Sequence, residues 1–208
     1  MRRLAGAFPD VPVIPQEGEG IASAITTGWR HLGDGVDAVA WLGDDDRLPQ
    51  GSLRTAVTTL GRYPDAAMVY GRSRYIAADG SHCYVVCPGR FGARLLCLGH
   101  NLILQPGSLY RRSAVEAVGG LDHNLRLAFD VDLHRRLMKH GTLRYVPVVL
   151  GEARTHPGSL TACNPTESRR EADRALTRQM PNWARRSKAV WTPASRLLLR
   201  AALTVGCR

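Results

Sequence analysis

The sequence predicts an α/β sandwich built on a mainly parallel sheet. Two observations carry that expectation. Apolar residues recur at helical and at strand spacing in alternation from about Ile21 to Leu150, and an acidic run, Asp44-Asp45-Asp46, follows one of the apolar strands. Strands that alternate with helices favour a sheet covered by helices, and ligands in such folds gather beyond the carboxyl ends of the strands. With 208 residues, 44% of them hydrophobic, the chain is long enough to bury a full core.

The elements follow in order. Residues 1–19, rich in Pro and Gly, form an irregular lead-in. Ile21, Ile25, Trp29 and Leu32 recur at helical spacing, and Val36 to Leu42 is a short β-favouring run stopped by Gly43 and three acids. Leu53, Ala56, Val57 and Leu60 resume the helical period, Ala66 to Tyr70 is a second buried strand, and Arg74 to Val86 reads as a hairpin around Asp79-Gly80. Phe91 to Leu98 is a short amphipathic helix, and Leu102 to Leu104 and Ser108 to Arg111 are short extended pieces. Ser113 is placed to cap a helix ending at Gly119-Gly120. Asp130 stands where an N-cap belongs for a helix carrying Leu133 and Leu137, which Gly141 closes before a strand from Leu143 to Leu150. After Thr161 the composition turns basic, ending in an Arg-punctuated apolar helix from Ala194 to Val205.

Twenty-eight Lys and Arg against 18 Asp and Glu give a formal charge of +10, which favours anionic partners. Ten of those cations lie after Thr161. They are not interleaved with aromatics, and no helix-turn-helix or RNA-binding signature occurs, so nucleic acid is not the expected partner. Cys83, Cys87, Cys97, Cys163 and Cys207 are odd in number and lack C-x-x-C spacing, which points to reduced thiols and a cytoplasmic protein. The N-terminus lacks the apolar stretch of a signal peptide, and no apolar run reaches the roughly 18 residues of a membrane span.

Chemistry concentrates in the aspartates. Two unit charges about 5 Å apart at an effective dielectric near 20 repel by roughly 3 kcal/mol, a cost that a bound cation removes. Hard carboxylate oxygens suit Mg²⁺ or Mn²⁺ shared with the phosphates of a substrate. A solvated acidic turn is the alternative for the run taken alone.

Its context adds more. Gly20-Ile-Ala-Ser-Ala-Ile-Thr-Thr-Gly28-Trp29, followed by Val39-Ala-Trp-Leu-Gly-Asp-Asp-Asp-Arg-Leu48, resembles the central segment of family 2 glycosyltransferases, which have the GT-A fold. Gly119-Gly120-Leu121-Asp122, Asp130-Val131-Asp132-Leu133 and His156-Pro157-Gly158-Ser159-Leu160-Thr161 resemble three later pieces of that family in the same order. The resemblance divides the chain into the lead-in, a partial GT-A-like domain over 20–161 and a basic helical segment over 162–208. It begins beyond the family's first two strands, which grip the base and ribose, so the expected sheet is N-terminally truncated.

The resemblance implies a hexosyltransferase-like enzyme that moves a sugar from a nucleoside-diphosphate donor to a saccharide, lipid-linked or protein acceptor hydroxyl, with inversion. Such enzymes serve cell-envelope polysaccharides. It makes Asp44 and Asp45 nucleotide-sugar and metal contacts, with Asp46 completing an Asp-x-Asp pattern with Asp44 and Mn²⁺ or Mg²⁺ as cofactor. Asp130 matches the catalytic base, although Phe129 stands where the family has Glu, and a helix N-cap would also account for Asp130. His156 matches a position near the metal or diphosphate, or is an ordinary loop residue; Arg154 is placed to pair with phosphate. Gln105-Pro106-Gly107-Ser108 falls where the acceptor side begins. Trp29 and Trp41 read as core rather than contacts, and Cys83 and Cys87 as packing. The last helix, with Leu197 to Leu199, Arg196 and Arg200, suits either packing on the domain or peripheral contact with the inner membrane face. An inactive relative of the fold that works through a partner is the competing function.

Overall fold

The computed structural model describes residues 10–180 together with Asn182 and Arg185. In chain order the elements are α1 (Ile21–Arg30), β1 (Ala38–Val39), α2 (Ser52–Arg62), β2 (Ala66–Ile76), β3 (His82–Val86) and α3 (Gly92–Cys97). They continue with β4 (Leu109–Arg111), α4 (Arg112–Ala117), α5 (Phe129–Leu137), β5 (Thr142–Arg154), α6 (Leu160–Cys163) and α7 (Pro165–Arg178). The chain is therefore α/β, as its periodicity predicts. The expected terminal helix over Ala194 to Val205 lies outside the described residues.

The sheet is mostly antiparallel, which corrects the expectation of a mainly parallel one. Only β2 and β5 pair in parallel, from Ala66 opposite Thr142 to Ile76 opposite Arg154. β4 lies between β1 and β2 and is antiparallel to both, with Val39 opposite Tyr110 and Met68 also opposite Tyr110. β3 folds back on the far half of β2 through a turn at Asp79-Gly80, where Gly80 takes φ 89° and its N–H bonds the Ala77 carbonyl at 2.9 Å. That reversal makes β3 antiparallel. β1, β2 and β5 nevertheless point the same way, so the acidic loop after β1 and the ends of β2 and β5 meet at one edge of the sheet.

Side-chain alternation splits the core in two. Met68, Tyr70 and Tyr110 face a large cluster formed with Leu96, Val115, Leu133 and Leu137, whereas Val69 and Leu109 face Ala56, Leu60, Val146 and Leu150. Helix α2 therefore covers one face and α1, α4, α5 and α7 the other. Both faces of β2 are filled, which explains its unbroken buried run from Ala66 to Gly71. In α2 the inward stripe is Ser52, Ala56 and Leu60; Leu53 and Val57 are exposed.

Arg111 closes the end of α2. Its guanidinium donates to the carbonyls of Leu60 at 2.8 Å, Tyr63 at 3.1 Å and Ala66 at 2.8 Å, acceptors at the helix end and the following turn. A charged donor on carbonyls is among the stronger hydrogen bonds. Arg111→Met is expected to lower unfolding stability by about 2–4 kcal/mol in a urea titration. A loss below about 0.5 kcal/mol would contradict this role.

Two helix starts differ from the expected caps. The helix near Ser113 begins two residues earlier than a Ser113 cap requires, with extended Arg111 as its N-cap, and is closed by Gly119 and Gly120, both with positive φ and both N–H groups bonded to carbonyls of the last turn. The helix near Asp130 begins at Phe129 with Ala128 as N-cap, which places Asp130 inside the first turn. No side chain of its own segment caps it.

Candidate functional site

The acidic loop is held by backbone pairing at its end. Arg47 and Glu152 exchange N–H to carbonyl bonds at 3.0 and 2.8 Å, which fixes the loop exit against the last turns of β5. A turn bond from the Asp46 N–H to the Gly43 carbonyl shapes the run itself. Gln105 adds a bond of 2.6 Å from Nε2 to the Trp41 carbonyl.

Within this frame the predicted residues take distinct positions. His156 Nε2 lies 3.0 Å from Asp45 Oδ2, and both side chains are about one-third exposed. Asp46 Oδ1 accepts the Arg154 backbone N–H at 2.9 Å. Burial raises the Asp46 pKa above the ordinary carboxylate value, the Arg154 N–H opposes that, and the charges of Asp45 and Asp44 raise it further. Asp44 itself is exposed.

The two remaining oxygens both approach Gly43. A Cβ placed there would lie 2.9 Å from Asp45 Oδ1 and 3.1 Å from Asp46 Oδ2, so glycine is what lets both carboxylates lie against the loop backbone. Two carboxylates fit an ion of the Mg²⁺ class, which takes one or two protein oxygens and completes its shell with water and phosphate. Among the described residues no group of three or more His, Cys, Asp and Glu converges to hold a metal by itself. Asp44, Asp45, Asp46 and His156 thus do not form a closed four-ligand site.

Arg154 is more committed than its sequence position suggests. Its Nε donates to the Asp45 carbonyl at 2.9 Å and its Nη1 to the carbonyls of Ala77 and Ala78 at 2.9 and 2.8 Å. The side chain ties the acidic loop, β5 and the hairpin turn together. That use makes it a strut first, with only Nη2 outside these bonds.

Asp130 reaches the same end of the sheet from α5. Desolvation pushes its pKa up to about 6 against the backbone N–H groups of Val131 and Asp130, with the Glu171 charge adding to the rise. Part of the residue stays open to solvent. Tyr75, near the end of β2, connects the two halves: its phenol lies within electrostatic reach of both Asp46 and Asp130. Burial leads the causes that push that phenol up to about 12, so it is neutral and able to donate. Its ring stacks on Tyr84 at 4.6 Å. Tyr75 escaped the sequence reading because a Tyr in a strand is an ordinary β-former; the outward-pointing end of a long buried strand is the signal that could have marked it.

Behind Asp130 the packing is aromatic. Trp41 stacks on Tyr110 at 5.1 Å, Trp29 meets Trp41 edge-on at 5.6 Å, and the Tyr110 hydroxyl lies 2.9 Å from His134 Nε2. Burial lowers the His134 pKa to about 3, so this imidazole is neutral. Both tryptophans pack against the core, as their reading from the sequence has it.

Glu171 was not foreseen. Its buried carboxylate accepts the consecutive N–H groups of Arg126 at 2.9 Å, of Leu127, and of Ala128 at 2.7 Å, directly before α5. An acid in register with Ala175 on the buried stripe of α7 was the available signal.

These residues define an α/β protein with an acidic corner at the carboxyl end of the sheet and, on α5, a second carboxylate with a raised pKa. No protein-family model matches the chain, and no curated protein sequence matches it. Among the described residues no helix is long and apolar enough to cross a membrane, and Cys83, Cys87, Cys97 and Cys163 form no disulfide.

Proposed function

We propose that the chain is a glycosyltransferase of the GT-A type that transfers a sugar from a nucleoside-diphosphate donor to an acceptor hydroxyl. The observation that supports this reading is that Asp46, from the loop after β1, and Asp130, from α5, both act electrostatically on the Tyr75 phenol. Residues 84 positions apart supply an oxygen-rich corner for a diphosphate and a carboxylate suited to proton removal.

Asp130 acts as the base. A carboxylate with a pKa about 6 is ionised at neutral pH yet far more basic than an exposed Asp, the compromise general-base catalysis favours. The acceptor oxygen forms its bond to the anomeric carbon as the bond from that carbon to the diphosphate oxygen breaks. The hydroxyl proton goes to Asp130 and the electron pair leaves with the nucleoside diphosphate. One displacement inverts the anomeric configuration. Asp45 and Asp46 are the residues that would hold Mg²⁺ or Mn²⁺, with His156 fixing the Asp45 carboxylate and Asp44 adding negative charge. When bound, the ion supplies Lewis-acid stabilisation of charge on the departing diphosphate. Tyr75 is placed to donate a hydrogen bond between the two halves.

The base role sets a pH dependence. Below about 6 Asp130 is protonated and cannot accept the proton, so kcat/KM should rise as pH increases through about 6 and level off above 7. A rate that is flat between pH 5 and about 7.5 would remove Asp130 from the mechanism. The activity itself is tested by release of nucleoside diphosphate from UDP-, GDP- and TDP-sugars with Mn²⁺. Release abolished by EDTA and by Asp130→Asn supports the reading; no release from any donor by folded protein contradicts it.

One observation favours a second reading, a non-catalytic protein that works through a partner. Leu42, Leu48, Leu53 and Val57 are exposed beside a mainly apolar cavity of about 270 Å³ between β1 and α2. Among the described residues no strand pairs with the second edge of β1; there Trp29 Nε1 covers the Ala40 carbonyl at 3.1 Å. Exposed apolar surface of this kind marks contact with another polypeptide. Donor turnover by the chain would exclude this reading.

A further inference from the structure

Arg126, Leu127 and Ala128 present three successive N–H groups to one point, a concave nest of the kind that binds anions. The anion is internal: the carboxylate of Glu171, 43 residues beyond Ala128 and on the helix that packs across α5. Glu171 is 7% exposed and lies two helical turns into α7. A structural acid at a helix start normally comes from the N-cap residue, but the Ala128 methyl has no acceptor to offer. We propose that Glu171 is a positioning residue for Asp130, fixing from α7 the backbone that launches α5 and setting the charge environment of the base two residues further on. The proposal rests on the reading of Asp130 as the base.

Of the charged groups near Asp130, Glu171 is the one that raises its pKa. On β2 and β4 the facing groups are the phenols of Tyr75 and Tyr110, both held neutral by burial. On α5 itself Asp132 is paired with Arg136 at 2.6 Å and His134 is neutral. On α4 Glu116 is paired with Arg112 at 2.8 Å. Among the described residues Glu171 has only backbone N–H partners and forms no ion pair. Removing the Glu171 charge lets the Asp130 carboxyl ionise at lower pH.

A carbon-13 NMR titration of the Asp carboxyls, with Asp130 assigned by the Asp130→Asn variant, tests this. The wild-type midpoint should lie at about 6. Glu171→Gln keeps an acceptor oxygen and removes the charge, so the Asp130 midpoint should fall by roughly half a pH unit or more. Glu171→Asp keeps the charge but withdraws it by one methylene; amide exchange at Leu127 and Ala128 should quicken roughly tenfold as those bonds lengthen. An Asp130 midpoint unchanged in folded Glu171→Gln overturns the proposal. If that variant does not fold, unchanged exchange at Leu127 and Ala128 in Glu171→Asp overturns it. The titration needs no turnover. A midpoint that moves in a protein releasing no nucleoside diphosphate keeps the link from Glu171 to Asp130 and removes the transferase; an unmoved midpoint alongside turnover does the reverse.

Discussion

Replacing Asp130 by Asn is expected to lower transfer by about 10³-fold while raising the stability of the fold at pH 7.5 by about 1–3 kcal/mol. The first effect follows from loss of the carboxylate proposed to take the acceptor proton. The second follows from linkage. The folded-state pKa of about 6 lies above the ordinary Asp value of 3.8, so the native state binds this proton more tightly than the unfolded chain does. The stability this group contributes is complete below the unfolded pKa and is lost as pH rises through about 6. At pH 7.5 wild-type protein therefore holds an unfavourably buried charge that Asn removes; at pH 4 the two proteins should unfold at nearly the same urea concentration. Urea titrations at the two pH values check the sign. A variant less stable than wild type at pH 7.5 would show that the carboxylate is favoured by its surroundings and unsuited to be a base.

Gly151→Ala should be the most damaging small substitution in the sheet. A Cβ there would lie 2.1 Å from the Pro106 carbonyl oxygen and 2.7 Å from the Gly107 nitrogen, and backbone cannot swing aside as a side chain can. Gly107 approaches β5 from the other side with φ 84°, and a Cβ on it would meet the Leu150 carbonyl carbon at 2.3 Å. The contact brings the 105–108 turn onto β5, which places Gln105 on the Trp41 carbonyl just before the acidic run. We expect a loss of about 3 kcal/mol or more, read by thermal unfolding, together with weaker nucleotide binding as the loop loosens. A shift in Tm of less than about 2 °C would contradict the close approach.

The sequence made some of this legible and hid the rest for physical reasons. The acidic run, Asp130 and His156 could be read because charge between apolar segments stands out. Helix α1 ends at Arg30, two residues before the predicted Leu32, and the hairpin turn falls at Asp79-Gly80 as its residues require. Strand direction was not legible: β4 is only three residues long, and periodicity says which residues are buried without saying which way the strand runs. The β1 ladder is shorter than the run from Val36 to Leu42 because Trp41 and Ala40 offer carbonyls to Gln105 and Trp29 instead of a strand. The capping of α5 was misplaced for a related reason. Asp130 satisfies the local pattern for an N-cap, but the acid that takes the N–H groups before the helix is Glu171, and contacts between elements leave no local signature. Arg154 likewise reads in the sequence as free to meet a phosphate, whereas three backbone carbonyls hold its guanidinium.

The acidic corner is tested most directly by isothermal titration of the chain with UDP, GDP and TDP in the presence and absence of Mn²⁺. Binding of at least one nucleotide is expected with Mn²⁺ and not without it, and Asp45→Asn combined with Asp46→Asn should abolish it while leaving the fold intact by circular dichroism. No heat with any of the three nucleotides, or equal binding with and without the metal, would contradict the assignment of this corner to a metal and a diphosphate.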